Sequence, residues 1–246
     1  MLDDMTDRSR LIKAALALAE ERGWNAVGLP DIAGRAGLSM AALRREFASK
    51  TAIIDAFRRE VDVAVLEKSA TTTTGDSARD RLFDVLMTRF EMMLPYRPAL
   101  RRIADDLQMR PAALAALVGP AMNTQYWMLQ AAGIGAEGPS GFARVSALMP
   151  IHAKVFRVWL EDDDPAMAKT MAALDRRLRR AEQFAMRANT ICDTGMRILE
   201  AFSPRRQRGA EQPAGPGPAG EPPQPPPPQG PPPGPGGTAP NDGQSL

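Results

Sequence analysis

Three cations sit close together early in the chain, Arg44, Arg45 and Lys50, with Arg35 a short way upstream. Guanidinium and ammonium groups clustered like this suit the phosphates of a nucleic acid. His152 is the only histidine and Cys192 the only cysteine, so a structural zinc site is not expected. His152 lies on an apolar stripe with no Asp or Cys at ligand spacing, and reads as a core or pocket histidine. Asp162, Asp163 and Asp164 look like a metal cluster at first sight. Pro165 follows them, however, and acids at a helix start complement the helix dipole, which explains them better. A second set of residues suits an apolar pocket: Met87, Phe90, Met93, Leu94, Trp127, Met149, His152, Phe156 and Trp159. Fourteen methionines supply flexible thioethers for such a lining. An ordinary core is the competing reading for each of these residues. The chain has no G-x-S-x-G nucleophile elbow, no P-loop and no dinucleotide-binding glycine motif in the right context. We therefore expect no enzyme, no cofactor and no metal.

Helices must position these groups. Ala, Leu, Met, Arg and Glu dominate, and no alternating β-branched run of useful length occurs, so the chain reads as all-α. Expected helices cover residues 7–22, 30–36, 40–47 and 50–67, with Ser39 and Ser49 as N-caps. A polar break at residues 71–75 separates them from a second set. That set comprises a helix from about Ser77 to Pro95, then 99–108, 112–132 and 142–160, the last kinked by Pro150. A final long helix starts at the acidic turn ending in Pro165, with Met167, Met171, Leu174 and Leu178 inward. Residues 30–47 have helix-turn-helix logic: two short helices meet at Gly37-Leu38, and Ile32, Ala36, Leu38, Leu43 and Phe47 close a small core. Such a unit lays its second helix in a major groove of double-stranded DNA, N-terminal residues towards the bases.

The same stretch resembles the TetR family of transcriptional regulators. The residues that carry the resemblance are Leu11-Ile12-x-Ala14-Ala15, Gly23, Asp31-Ile32-Ala33-x-x-Ala36-Gly37-Leu38-Ser39, Leu43, Phe47-x-Ser49-Lys50 and Ile53-Ile54-x-Ala56-Phe57. The resemblance implies a TetR-like fold: a three-helix DNA-binding head at residues 1–50 and a helical ligand-binding and dimerising body at 51–202. It also implies a homodimer that binds a DNA operator. The candidate DNA contacts are Arg35, Ser39, Met40, Ala41, Arg44, Arg45 and Lys50. There are departures. Arg44 stands where the family usually has a tyrosine, and Gly28 where it has Ser or Thr. Met40-Ala41-Ala42 offers no side chain for a bidentate base contact, and Glu46 adds a negative charge near the DNA surface. Retention of the three-helix unit as fold alone therefore stays open.

Residues 81–185 resemble, more loosely, the lipid-binding accessory protein of ubiquinone biosynthesis. Thr88-Arg89-Phe90-x-Met92-Met93-Leu94-Pro95-Tyr96, Trp127-Met128-Leu129-x-Ala131-Ala132-Gly133 and Trp159-Leu160-x-Asp162-Asp163-Asp164-Pro165 carry it. This implies a cavity for an isoprenoid lipid or acyl chain, and lipid binding without DNA readout is the alternative function. Phe184, Ala188, Ile191, Gly195, Ile198 and Phe202 form an apolar stripe on the last helix. It suits a dimer interface or core packing, with peripheral membrane contact through residues 184–202 as the other reading.

Bulk numbers narrow the classes further. Lys and Arg total 31 against 29 Asp and Glu, a formal net charge of +2, so any basic footprint is local. No apolar run approaches the length of a membrane span. A single cysteine suits a reducing cytosol and a cytoplasmic protein. Residues 203–246 hold 15 of the 23 prolines and 9 of the 20 glycines. That stretch has too little apolar surface to offset its ordering entropy, and we expect it to be disordered.

Overall fold

Local signals set the first helices. Thr6 opens α1 (Asp7–Arg22): its hydroxyl accepts the Ser9 N–H at 3.2 Å, satisfying one of the donors left open at a helix start. Gly23 ends α1 with φ 82°. Gly28 precedes α2 (Leu29–Ala36), and the Asp31 carboxylate reaches back to accept the Gly28 N–H at 2.7 Å. Gly28 has no side chain, so only this half of a reciprocal cap exists. Gly37 adopts the left-handed conformation (φ 65°, ψ 34°) and turns the chain into α3 (Met40–Glu46). The hydroxyls of Ser39 and Ser49 cap α3 and α4 (Lys50–Thr72), each accepting a backbone N–H three residues on at 3.1 Å.

The computed structural model describes residues 6–72 and 77–202, with side chains for residues 6–70 and 77–187. After residue 77 come α5 (Ala78–Met93), a 3₁₀ turn (Leu94–Tyr96), α6 (Arg97–Gln108), α7 (Pro111–Ala116), α8 (Val118–Ala131), α9 (Gly138–Leu160) and α10 (Ala168–Phe202). There is no strand among the described residues. The expected tail from residue 203 and most of the apolar stripe beyond Phe184 lie outside the described side chains.

Several expected boundaries move, for identifiable reasons. α4 continues past Glu67 to Thr72, so the expected break at 71–75 starts later, and residues 73–76 lie outside the described ones. The expected single helix over 112–132 is two helices that meet at Leu117. Pro120 explains the interruption: it has no N–H for the Ala116 carbonyl, and its ring clashes there in an unbroken helix. α9 begins at Gly138, four residues before the expected start, because Pro139 fits a first helical turn. The helix runs on through Pro150. α10 begins at Ala168, after Pro165. The Asp164 carboxylate accepts the N–H groups of Ala166 and Ala168, and Met167 sits at φ 52°. Met167, Leu174 and Leu178 point inward as expected, but Met171 is 37% exposed.

One contiguous cluster of buried apolar side chains joins these helices. Leu11, Ile12 and Leu18 of α1 pack with Ile32 and Leu43, while α1 also lies along α6. α4 packs against α5 and α8, and α8 against α9. Phe57, Phe90, Met128 and Trp159 are among the largest side chains fully removed from water.

Two helical glycines give opposite expectations for one substitution. A Cβ on Gly141 would fall 2.0 Å from the Ala136 carbonyl carbon, whereas one on Gly34 meets nothing within 4 Å. Gly141→Ala should cost roughly 1–3 kcal/mol, because a backbone rather than a flexible side chain must yield. Gly34→Ala should stabilise by about 0.5–1 kcal/mol through lost unfolded-state freedom. Urea unfolding of both variants checks the pair. Equal effects would mean that the start of α9 adapts freely.

Candidate DNA-contact surface and body cavity

The head presents one face of α3. Ala42 and Leu43 turn inward, leaving Met40, Ala41, Arg44 and Arg45 exposed, with Met40 45% accessible. These four form adjacent pairs one helical turn apart, so they share a single outward face. Ser39 is exposed too, but its hydroxyl is engaged in the cap. Arg35 and Lys50 are placed differently. Arg35 forms a two-pronged ion pair with Glu21, tying α2 to α1. This pair holds the Glu21 carboxyl below its ordinary value, chiefly through the hydrogen bond from Arg35. Lys50 rests its ammonium 4.1 Å from the Trp24 ring centroid and donates to the Trp24 carbonyl. Burial, and then the charge of Arg110, lower its pKa. Both residues brace the head, so Arg44 and Arg45 are its freely presented cations on α3.

The turn between α1 and α2 is also held from the body. Asp106 of α6 accepts the Asn25 N–H at 2.7 Å. Nothing in the local sequence marks that contact, which spans 81 positions.

The body holds a partly open cavity of about 330 Å³ between α4, α5, α6, α8 and α9, with α7 at its edge. Met93, Met149, His152 and Phe156 from the expected set line it. Phe90 and Trp159 stand behind that wall: Phe90 meets His152 edge-on with centroids 5.5 Å apart, and Trp159 stacks on Phe156 at 5.5 Å. Met87 is buried in the core and Leu94 is half-buried, neither on the cavity surface. Trp127 is 42% exposed on α8, edge-on to Tyr126, and faces away from the cavity.

α4 contributes lining that is absent from the expected set. Ile54, Phe57, Asp55 and Arg58 all reach the lining. Asp62, one turn beyond, is 3% exposed and receives three donors: Arg58 at 2.6 Å, the Thr124 hydroxyl at 2.9 Å, and Arg89 of α5. Arg58 also engages Asp55 and the Thr124 hydroxyl. Arg89 is 4% exposed, and its Nε has no partner. Burial lowers its pKa, against the attraction of Asp62. Gln125 and His152 meet at 2.7 Å from amide nitrogen to Nδ1. Burial, reinforced by the Arg89 charge, pushes the His152 pKa down to about 3, so the ring is neutral. A polar residue inside an apolar helical stripe (Arg89, Gln125) was the available sequence signal. It could not say that the two stripes converge.

The Asp162 carboxylate accepts the N–H and hydroxyl of Thr170 at 2.9 and 2.7 Å. Burial raises its pKa, but these bonds outweigh burial and hold it below its ordinary value. The acidic turn therefore organises the start of α10. No group of three or more potential metal ligands occurs among the described residues. No helix is long and apolar enough to cross a membrane among the described residues.

Residues 11–57 match the family model described as bacterial regulatory proteins, tetR family. The fold is similar to a TetR transcriptional regulator from Nitrosomonas europaea ATCC 19718, with a TM-score of 0.59 at 24% identity, covering 72% of this chain and 99% of that one. It is also similar to a TetR transcriptional regulator from Rhodococcus sp. RHA1, with a TM-score of 0.52 at 24% identity, covering 70% and 95%. No curated protein sequence matches. The fold is thus all-α and TetR-like, and the chain carries a tetR-family N-terminal domain.

Proposed function

We propose that the protein is a ligand-responsive transcriptional regulator that binds operator DNA as a homodimer. The observation that carries this reading is the outward face of α3, where Met40, Ala41, Arg44 and Arg45 stand clear on a tetR-family head. Arg44 and Arg45 contact phosphates, while Met40 and Ala41 offer only apolar contacts, such as to thymine methyl groups. A two-headed dimer reads two half-sites, and its head spacing sets their separation. α4 leaves the head at Lys50 and forms a wall of the cavity through Ile54, Phe57 and Arg58. A ligand there regulates only insofar as it binds one head spacing better than the other.

The start of α3 favours a second reading, a lipid-holding protein without DNA readout, because Met40 and Ala41 bring no hydrogen-bonding side chain to a base edge. Fluorescence anisotropy with the gene's own upstream DNA and a scrambled duplex, across a salt series, separates the two. Specific, salt-steep binding supports the regulator. Equal weak binding to both duplexes, with apolar lipid extracted from the purified protein, supports the second. On the first reading, Arg44→Ala and Arg45→Ala should each weaken binding similarly for all sequences. Each should also reduce the slope of log affinity against log salt by about 1. An unchanged slope in both variants would remove these residues from the DNA surface.

A further inference from the structure

The polar groups of the body cavity are gathered at one end. Phe57, Met93, Leu100, Met149 and Phe156 form an apolar chamber, and Arg58, Arg89, Thr124, Gln125 and His152 lie together on α4, α5, α8 and α9. The acceptors at this end are already occupied. Asp62 takes N–H or O–H donors from Arg58, Arg89 and Thr124. Asp55 takes Arg58 at 2.9 Å and Arg59 at 2.8 Å. The Thr124 oxygen accepts from Arg58. The Gln125 amide faces His152 Nδ1 with both its nitrogen (2.7 Å) and its oxygen (3.0 Å), and the nitrogen also donates to the Ala121 carbonyl at 3.4 Å, so this pair satisfies itself.

Donors, by contrast, remain. Arg89 carries five N–H groups, of which Nη1 serves Asp62 and Nε serves nothing. Its guanidinium is buried with Asp62, shared with Arg58, as its carboxylate partner, and its unmet donors favour a further charged acceptor. An ammonium group, which brings only donors, finds the carboxylates Asp55 and Asp62 already engaged by these guanidiniums. A volume of about 330 Å³ sits at the lower end of small-molecule sites, roughly 300–1,000 Å³, so the ligand is compact.

We propose that the cavity takes a compact apolar monocarboxylate, its hydrocarbon or aromatic body against Phe57, Met93, Leu100, Met149 and Phe156 and its carboxylate at the Arg58–Arg89–His152 end. This rests on the reading of the cavity as the ligand site, and names the chemistry that site selects. The same donor set discriminates between ligands: an alcohol of equal shape loses the ionic contact, and an amine meets donors where it needs acceptors.

Calorimetric titration of the full chain at pH 7.5 with 4-phenylbutyrate, 4-phenylbutanol and 4-phenylbutylamine tests this. The acid should bind at least tenfold more tightly than the alcohol, and the amine should not bind measurably. Arg89→Met should bring acid and alcohol within about twofold of each other. That variant breaks a buried ion pair and can fail to fold, so Ala121→Phe, which fills the cavity without touching a charge, supplies the second arm. It should abolish binding of both acid and alcohol. Equal affinity for acid and alcohol, both blocked by Ala121→Phe, would overturn the monocarboxylate assignment while leaving the cavity as a ligand site. Binding that Ala121→Phe leaves unchanged, or no binding of any of the three, would overturn the assignment altogether. Neither outcome touches the DNA reading, which anisotropy measures without ligand.

Discussion

Asp62→Asn is expected to cost about 3–5 kcal/mol of folding stability, the usual penalty for removing one member of a buried ion pair. Asp62 is the shared anion for Arg58 and Arg89, and both it and Arg89 are almost fully buried. Arg58 retains Asp55 when Asp62 loses its charge, but Arg89 retains no carboxylate. A loss of that size is a large fraction of the roughly 5–15 kcal/mol that holds a typical domain together. Removing both charges together is expected to cost far less. Asp62→Leu combined with Arg89→Met removes both buried charges and replaces them with apolar groups of similar volume. This double variant should be within about 1–2 kcal/mol of wild type, since desolvating the two charges offsets much of their attraction. Urea unfolding followed by circular dichroism measures all three proteins. A single-variant cost below about 1 kcal/mol, or a double variant no more stable than Asp62→Asn, would mean that water reaches this pair freely.

Stability should also fall steeply in mild acid, and His152 should be the reason. Its pKa drops from an ordinary 6.5 to about 3 in the folded protein, through burial first and the Arg89 charge second. The unfolded chain therefore binds a proton between these two values while the folded chain does not. Stability is full above about pH 6.5 and declines as pH falls through that window, by up to roughly 1.4 kcal/mol per pH unit. The lowered carboxylates Glu21, Asp55 and Asp162 are charged in both states above their ordinary values of 4.5, 3.8 and 3.8. Their contributions are lost only at lower pH, so the interval from pH 6.5 to 5 belongs mainly to the histidine. His152→Phe should flatten the stability profile over that interval while leaving the acid limb below pH 4 in place. A slope unchanged by this substitution would assign the effect to another group.

The elements whose causes are local were the most legible. α1 was readable residue for residue, because an apolar stripe and Gly23 define it without help from the rest of the chain. The Gly37 turn and the Ser39 and Ser49 caps are likewise local chemistry, fixed by φ preference and by one hydroxyl reaching one N–H. The errors came where two signals competed. Helical periodicity across residues 112–132 obscured the break that Pro120 imposes, and Asp164 caps a helix that starts beyond Pro165.

The expected site residues divide along the same line. Arg44 and Arg45 are exposed because the small core beneath α3 dictates its orientation, and that core was visible as Leu43 and Phe47. Arg35 and Lys50 were chosen for their charge alone. Their actual partners, Glu21 and Trp24, lie on the preceding helix or the loop after it. Apart from His152, the expected cavity residues share only apolar character, which does not separate a wall from the core behind it. Hence Phe90 and Trp159 stand behind the lining, Trp127 lies outside it, and α4 supplies lining that was not among the expected residues.

The sequence by itself determined an all-helical chain, a helix-turn-helix head and the outward cations of its second helix. Periodicity, caps and turn conformations act over a few residues, so their physics is written in adjacent letters. Only the tertiary structure decided that Asp62, Arg89 and Thr124, drawn from three helices, share one buried polar cluster beside an apolar cavity that Arg89, Thr124 and His152 help to line. Whether a buried charge is compensated depends on which helices pack together, and that depends on the summed burial of the whole chain rather than on any one segment.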